Sequence, residues 1–197
     1  MKTPAKLSAA FSLIELLVVI GIIAIMATAG VVALGGGSKS VQSAATAASS
    51  VFSMARTEAI LRRVPVRVIV DTSYNAAKPD DYLRRIAVVA KKEDTTDWEP
   101  ISQWMRLPAN AFFNPDVSKR YGSGSMTGVG GNGTSFAYFE FLPNGQASSP
   151  RAQFIVTRGA LAGDQFSELG TANRSGFVVH KLGRMTFFND PADIPQS

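Results

Sequence analysis

The chain has 197 residues, of which 46% are hydrophobic and 18% charged, with a formal charge of +5 and no cysteine. That length accommodates one ordinary domain and a membrane segment. The missing cysteine excludes disulfide staples and thiolate metal sites, so the chain must be held by an ordinary core. It does not fix the compartment. No long run of one sign of charge occurs, and nothing in the linear order demands an acidic partner.

The first ten residues, MKTPAKLSAA, are small and carry Lys2 and Lys6. An apolar stretch follows from Phe11 to Leu34, uncharged from Leu16 onward. At ~1.5 Å per residue, with ~20 residues needed to cross, it nearly spans a bilayer. The leading lysines place the N-terminus in the cytoplasm and the bulk outside, although Lys39 on the far side weakens that bias. A cleaved secretory signal is the rival reading, with Ala27-Thr28-Ala29 as its cleavage site, but its apolar core would be shorter. Glu15 is the oddity, because an acid at mid-bilayer costs on the order of 3 kcal/mol. Ser12-Leu13-Ile14-Glu15 fits a capping box. That explains a helix start, but not the choice of an acid where Gln would serve.

Ala10-Phe11-Ser12-Leu13-Ile14-Glu15-Leu16-Leu17-Val18-Val19-Ile20 closely resembles the class III signal of type IV prepilins and pseudopilins. The resemblance implies cleavage between Ala10 and Phe11 by a prepilin peptidase on the cytoplasmic side. It also implies N-methylation of Phe11 and retention of the hydrophobic segment in the mature protein. Glu15 then falls where that family keeps an acid. The family usually has Gly before the cut; Ala10 is small enough for the same pocket, and slower processing is expected. A new ammonium at Phe11 and a carboxylate at Glu15 are each costly in lipid. Pairing Glu15 with a neighbouring subunit's amine relieves both and fixes one axial register.

Beyond the apolar run, Gly35-Gly36-Gly37 costs roughly 3 kcal/mol of helix propensity against alanine, so a kink or melted turn is expected. Val41, Ala45, Ala48, Phe52, Ala55 and Ala59 then form one apolar helical stripe. Glu58 and Arg62 are an i,i+4 pair, and Pro65 ends the helix. After Pro65 the period becomes two. Strands are expected at Val66–Val70, Arg85–Val89, Ile101–Leu107, Phe136–Leu142, Gln153–Thr157, Gly176–His180 and Arg184–Phe188, with a turn at Pro143-Asn144-Gly145. The fold class is therefore α+β, one long helix packed by its second half on antiparallel sheet. Its segments are a leader over 1–10, a transmembrane and assembly helix over 11–34, an amphipathic helix over 35–64, and a β-rich domain over 65–197. The glycine-rich segment Tyr121–Ser135 reads as a mobile surface loop.

Ala55-Arg56-Thr57-Glu58-Ala59-Ile60 with Arg63, Pro65 and Val66 is similar to the helix end of H-class minor pseudopilins and related minor type IV pilins. Phe141-Leu142-Pro143-Asn144-Gly145 resembles the Phe-x-Pro-x-Gly turn of their sheets, and Gly183-Arg184 also fits. The resemblance implies a structural subunit, with other pilin or pseudopilin subunits, the prepilin peptidase and the inner membrane as partners. The alternative it leaves is a pilus-associated adhesin or a DNA-binding minor pilin.

Catalytic signals are weak. Gly128-Val129-Gly130-Gly131-Asn132-Gly133 matches G-x-G-x-x-G but leads into a strand, where a nucleotide fingerprint needs a strand before it and a helix after. Gly35-Gly36-Gly37-Ser38-Lys39-Ser40 lacks the glycine before lysine that a phosphate loop uses. His180, the only histidine, has neither companion ligands nor a serine partner. No catalytic residue, cofactor or metal is expected. Arg151, Arg158, Arg174, Lys181 and Arg184 are set against Asp164, Glu168, Asp190 and Asp193 without interleaved aromatics. That pattern argues against a nucleic-acid partner.

Overall fold

The computed structural model describes residues 37–129, 134–170, 173–188 and 193. The chain divides into two compact units, 1–36 and 37–197. The leader and the apolar segment lie in the first, outside the described residues.

Among the described residues one long helix, α1, runs Gly37–Arg62. Its buried face is mostly alanine: Val41, Ala44, Ala45, Ala48, Phe52, Ala55 and Ala59 are all within 1% of full burial. Small side chains let the helix axis approach the sheets closely, and Phe52 is the one large knob. Its ring lies 4.9 Å from Phe177, 5.1 Å from Phe139, 5.3 Å from Phe154 and 6.3 Å from Phe141. Past Arg62, Arg63 adopts φ 57°, a left-handed helix stop, before Pro65, which has no N–H to continue the ladder.

Among the described residues eleven strands follow, every pairing antiparallel. They are β1 (Val66–Asp71), β2 (Arg85–Lys91), β3 (Trp98–Pro100), β4 (Met105–Arg106), β5 (Ala111–Phe113), β6 (Gly122–Gly124), β7 (Phe136–Phe141), β8 (Ala152–Ala162), β9 (Gln165–Glu168), β10 (Arg174–Val179) and β11 (Met185–Phe188). One sheet is ordered β3-β2-β1-β7-β6 with β4 also on β2; the other is β11-β10-β8-β5 with β9 on β8. Alternation along β1 sends Val66, Val68 and Val70 into the main core under α1, against Phe139 and Phe141 of β7. Ile69 points the other way, into a second cluster with Ala87, Val89, Trp98, Met126, Val129 and Phe136. The helix-on-two-sheets arrangement is the α+β class expected from the sequence.

Three expectations change in detail. Of the strand expected over Ile101–Leu107 only β4, Met105–Arg106, forms, and β3 lies just before it, at Trp98–Pro100. Between them Ile101 and Ser102 both direct their N–H to the Val88 carbonyl, a local bulge in the ladder. The strand expected at Gln153–Thr157 extends to Ala162, because β9 returns as a hairpin and pairs with its distal half. The glycine-rich loop is not merely a surface excursion: it contributes β6, and its own Met126 and Val129 are buried.

Candidate functional site

Ala10, Phe11 and Glu15 lie outside the described residues. What is described is the surface that the chain presents once it leaves that segment, beginning with the outer face of α1. No charged residue occurs between Lys39 and Arg56. Gln42, Ser43, Thr46, Ser50, Ser53, Met54, Thr57 and Leu61 are exposed there. Several hydroxyls turn back on the helix: Thr46 donates to the Gln42 carbonyl at 3.0 Å, Ser50 to that of Thr46 at 3.3 Å, and Thr57 to that of Ser53 at 3.0 Å. A hydroxyl that is already satisfied within its own helix loses little when another surface covers it. Charges cluster only at the C-terminal end, where Arg62 reaches Glu58 at 2.7 Å.

A second constellation sits at the start of β2. Arg85 lies 3.9 Å from Asp71 and 3.6 Å from Asp81, with its guanidinium 4.0 Å over the Trp104 ring. Asp81 also holds Arg106, and Arg84 reaches Asp80 at 3.0 Å and the Leu107 carbonyl at 3.1 Å. The Nε of Arg84 is buried without a partner among the described residues. Burial raises the Asp71 carboxyl above its ordinary 3.8; the Ser73 N–H and Arg85 pull it down less, and Asp81 adds to the rise. Burial likewise lowers Arg84, against the opposing pull of Asp80. Every carboxylate in this cluster faces a guanidinium, which suits a clasp between the 3-10 turn Pro79–Asp81, β2 and β4 rather than proton transfer.

Arg67 forms a third. Its guanidinium is stacked between Trp98 at 4.0 Å and Tyr138 at 3.9 Å while Nε donates to Glu140 at 2.6 Å. It borders a cavity of about 250 Å³ lined by Arg120, Tyr121, Tyr138, Glu140 and Ser148. With both aromatic faces and the carboxylate engaged, Arg67 is a fastening across β3, β1 and β7.

Of the residues in the weak catalytic signals, Gly128 and His180 lie within the described residues, whereas 130–133 lie outside them. Gly128, at φ 87°, sits so close to the Trp98 carbonyl that a Cβ would collide with it, and Trp98 N–H donates to Thr127 O at 2.9 Å. This glycine is spent on packing the loop against β3. His180 Nε2 lies 2.9 Å from Thr186 Oγ1 across the β10–β11 hairpin. Among the described residues no group of three His, Asp or Glu side chains is placed to hold a metal. No helix of the described residues is long and apolar enough to cross a membrane, and the apolar run 11–34 lies outside them.

Sequence reasoning missed the Arg67 sandwich and the Asp71–Asp81–Arg85 clasp. A signal for the first existed, since Arg67 stands alone in the apolar strand Val66–Val70. The second draws on three elements, and nothing in the linear order joins them.

Residues 6–31 match the family described as the prokaryotic N-terminal methylation motif. The chain thus carries the N-methylation motif of class III prepilin signals. No curated protein matches it. Among solved structures it is similar to the type IV minor pilin FimU of Pseudomonas aeruginosa, at 17% identity and a TM-score of 0.47, over 80% of this chain and 93% of that one. A second crystal form of FimU gives 16% and 0.44, over 79% and 98%. The minor pseudopilin EpsH from the Type 2 Secretion System of Vibrio cholerae gives 11% and 0.45, over 78% and 98%.

Proposed function

We propose that this chain is a minor pilin or pseudopilin-like structural subunit of a type II secretion pseudopilus or a type IV pilus, and not an enzyme. The observation that carries the reading is the methylation motif over residues 6–31, with its charged leader, its Ala10-Phe11 junction and its acid at Glu15. In this reading, residues 1–10 are removed by a prepilin peptidase and Phe11 becomes an N-methylated terminus. Residues 11–34 hold the chain in the inner membrane with residues 65–197 on the outer side, until the subunit enters a filament. Glu15 takes the terminal ammonium of a neighbouring subunit, in surroundings that screen the attraction weakly.

The outer face of α1 supports this. A helix that stayed in water would ordinarily carry charges on that face. Here the stretch between Lys39 and Arg56 is uncharged, and Thr46 and Ser50 satisfy their hydroxyls within the helix, as a surface that packs against other helices should. Mass spectrometry of the mature protein tests the reading. N-methyl-Phe11 is the expected terminus, whereas one at or after Ala29 would identify an ordinary secretory signal and remove the basis for filament assembly.

A further inference from the structure

The linear sequence scatters its cations, but the fold gathers six of them. Arg120 Nη1 donates to the Pro150 carbonyl at 3.2 Å, which sets Arg120 and Lys119 beside Arg151. Ala147 N–H donates to the Lys181 carbonyl at 2.9 Å, joining the β7–β8 connection to the β10–β11 turn. Arg56 of α1 reaches across both turns. Its Nε donates to the Gly145 carbonyl at 3.2 Å, and a Cβ on Gly183 would lie 2.5 Å from the same atom. Gly145 and Gly183 have φ of 76° and 75°, the left-handed conformation that lets both turns close this tightly on the arginine.

Arg56, Lys119, Arg120, Arg151, Lys181 and Arg184 are thus contributed by four separate stretches to one end of the domain, and all are exposed. None of them pairs with a carboxylate among the described residues, whereas Arg62, Arg67, Arg84, Arg85, Arg106 and Arg174 all do. The chain supplies no acid between Glu140 and Asp164 or between Glu168 and Asp190. Glu140, the acid lining the adjoining cavity, is taken by Arg67. Two apolar side chains stand in the same place: Ile60, 46% exposed and packed at Gly145, and Leu182, 66% exposed at the tip of the β10–β11 turn.

We infer that this end of the domain is a docking surface for an acidic protein partner whose surface also offers apolar side chains. The charge sets the sign of the partner, and the apolar pair decides its class. Phosphate-backbone binding needs cations alone or cations with stacking aromatics, and neither Ile60 nor Leu182 would contribute to it. Exposed aliphatic anchors within a charged rim are instead the anatomy of a protein interface. The inference goes beyond the filament reading and does not require it, since the surface is far along the sequence from the methylation motif.

The test uses the full chain in a non-ionic detergent and three probes: poly-L-glutamate, a random glutamate–tyrosine copolymer, and duplex DNA. The copolymer should bind most tightly. Lys181→Glu with Arg184→Glu should weaken it by about tenfold or more, through lost attraction and added repulsion. Leu182→Ser should remove the preference for the copolymer over poly-L-glutamate while leaving poly-L-glutamate itself unchanged. Lys92→Glu, which alters net charge on a different part of the domain, should leave every affinity within about twofold. These side chains are exposed at turns, and an unchanged thermal transition confirms folding. Tighter binding of duplex DNA than of the copolymer would overturn the inference in favour of a nucleic acid. Equal weakening by Lys92→Glu, or absence of saturable binding to either acidic polymer, would overturn it outright.

Discussion

Phe52 is the one large side chain by which α1 engages both sheets at once, so truncating it tests the mechanical premise of the fold. The ring is fully buried and meets Phe139 and Phe141 of one sheet and Phe154 and Phe177 of the other. Phe→Ala at such a site costs about 3–5 kcal/mol in lost transfer and residual cavity. Four aromatic neighbours, each worth about 0.5–1.5 kcal/mol beyond area, place Phe52→Ala in the upper part of that range. The lining cannot collapse readily, because each ring is pinned in its own strand ladder. For a domain of this size a loss of 1 kcal/mol lowers Tm by about 2–4 °C, so a fall of about 10–15 °C is expected. Both tryptophans, Trp98 and Trp104, pack with the outer cluster of the first sheet, so their fluorescence follows the domain and not the apolar segment. Thermal melts of wild type, Phe52→Leu and Phe52→Ala should rank in that order of increasing damage. A Tm for the alanine variant within about 2 °C of wild type would mean that α1 is not seated in this core, and the account of the fold would fail.

Glu15→Gln should insert and fold normally yet fail to co-purify with partner subunits, because an unpaired ammonium in lipid costs on the order of 3 kcal/mol, upwards of a hundredfold in association. Wild-type incorporation would reduce Glu15 to a helix cap. Arg67→Lys keeps the charge but loses planar stacking on Trp98 and Tyr138, and a loss of about 1–2 kcal/mol in urea unfolding is expected. An unaltered midpoint would show the sandwich to be inert. Burial raises Asp71 above its ordinary 3.8, so the folded state holds its proton more tightly than the unfolded chain. Its contribution to stability is then fullest below that value and is lost as pH rises through the folded pKa. Asp71→Asn should therefore gain on wild type in unfolding free energy between about pH 4 and pH 7, and a difference that falls with pH would mean that Arg85 outweighs burial.

The elements most legible in the sequence were those whose period was long and undiluted. The alanine stripe of α1 and the alternation of Val66–Val70 could be read directly, because one face of each meets one core. Short strands fared worse for a physical reason. Ala111–Phe113 and Gly122–Gly124 owe their extended form to a partner already in place, Val156–Arg158 for the first and Phe136–Tyr138 for the second. Nothing in three residues of local preference supplies that partner. Ala111, Phe112 and Phe113 are buried in succession, so they show no alternation to read.

The same distinction governs function. The methylation motif is local: its leader, its junction and its acid are read in register along one short stretch, as the peptidase itself would have to read them. The cationic end of the domain is the opposite kind of feature. Arg56 and Arg184 are separated by most of the domain in sequence, yet both border Gly183, and only the closure of two left-handed turns onto one helix makes them neighbours. Counted along the chain, Asp164 and Glu168 offset the C-terminal cations. In the fold, Glu168 is spent on Arg174 at 2.6 Å, and Asp164 flanks Tyr82 and Phe166 in a different part of the domain. A charge balance taken in sequence order averages over surfaces that never meet. Six cations without a carboxylate partner among the described residues gather at the end where the turns converge, and that is where a partner selected by charge would bind.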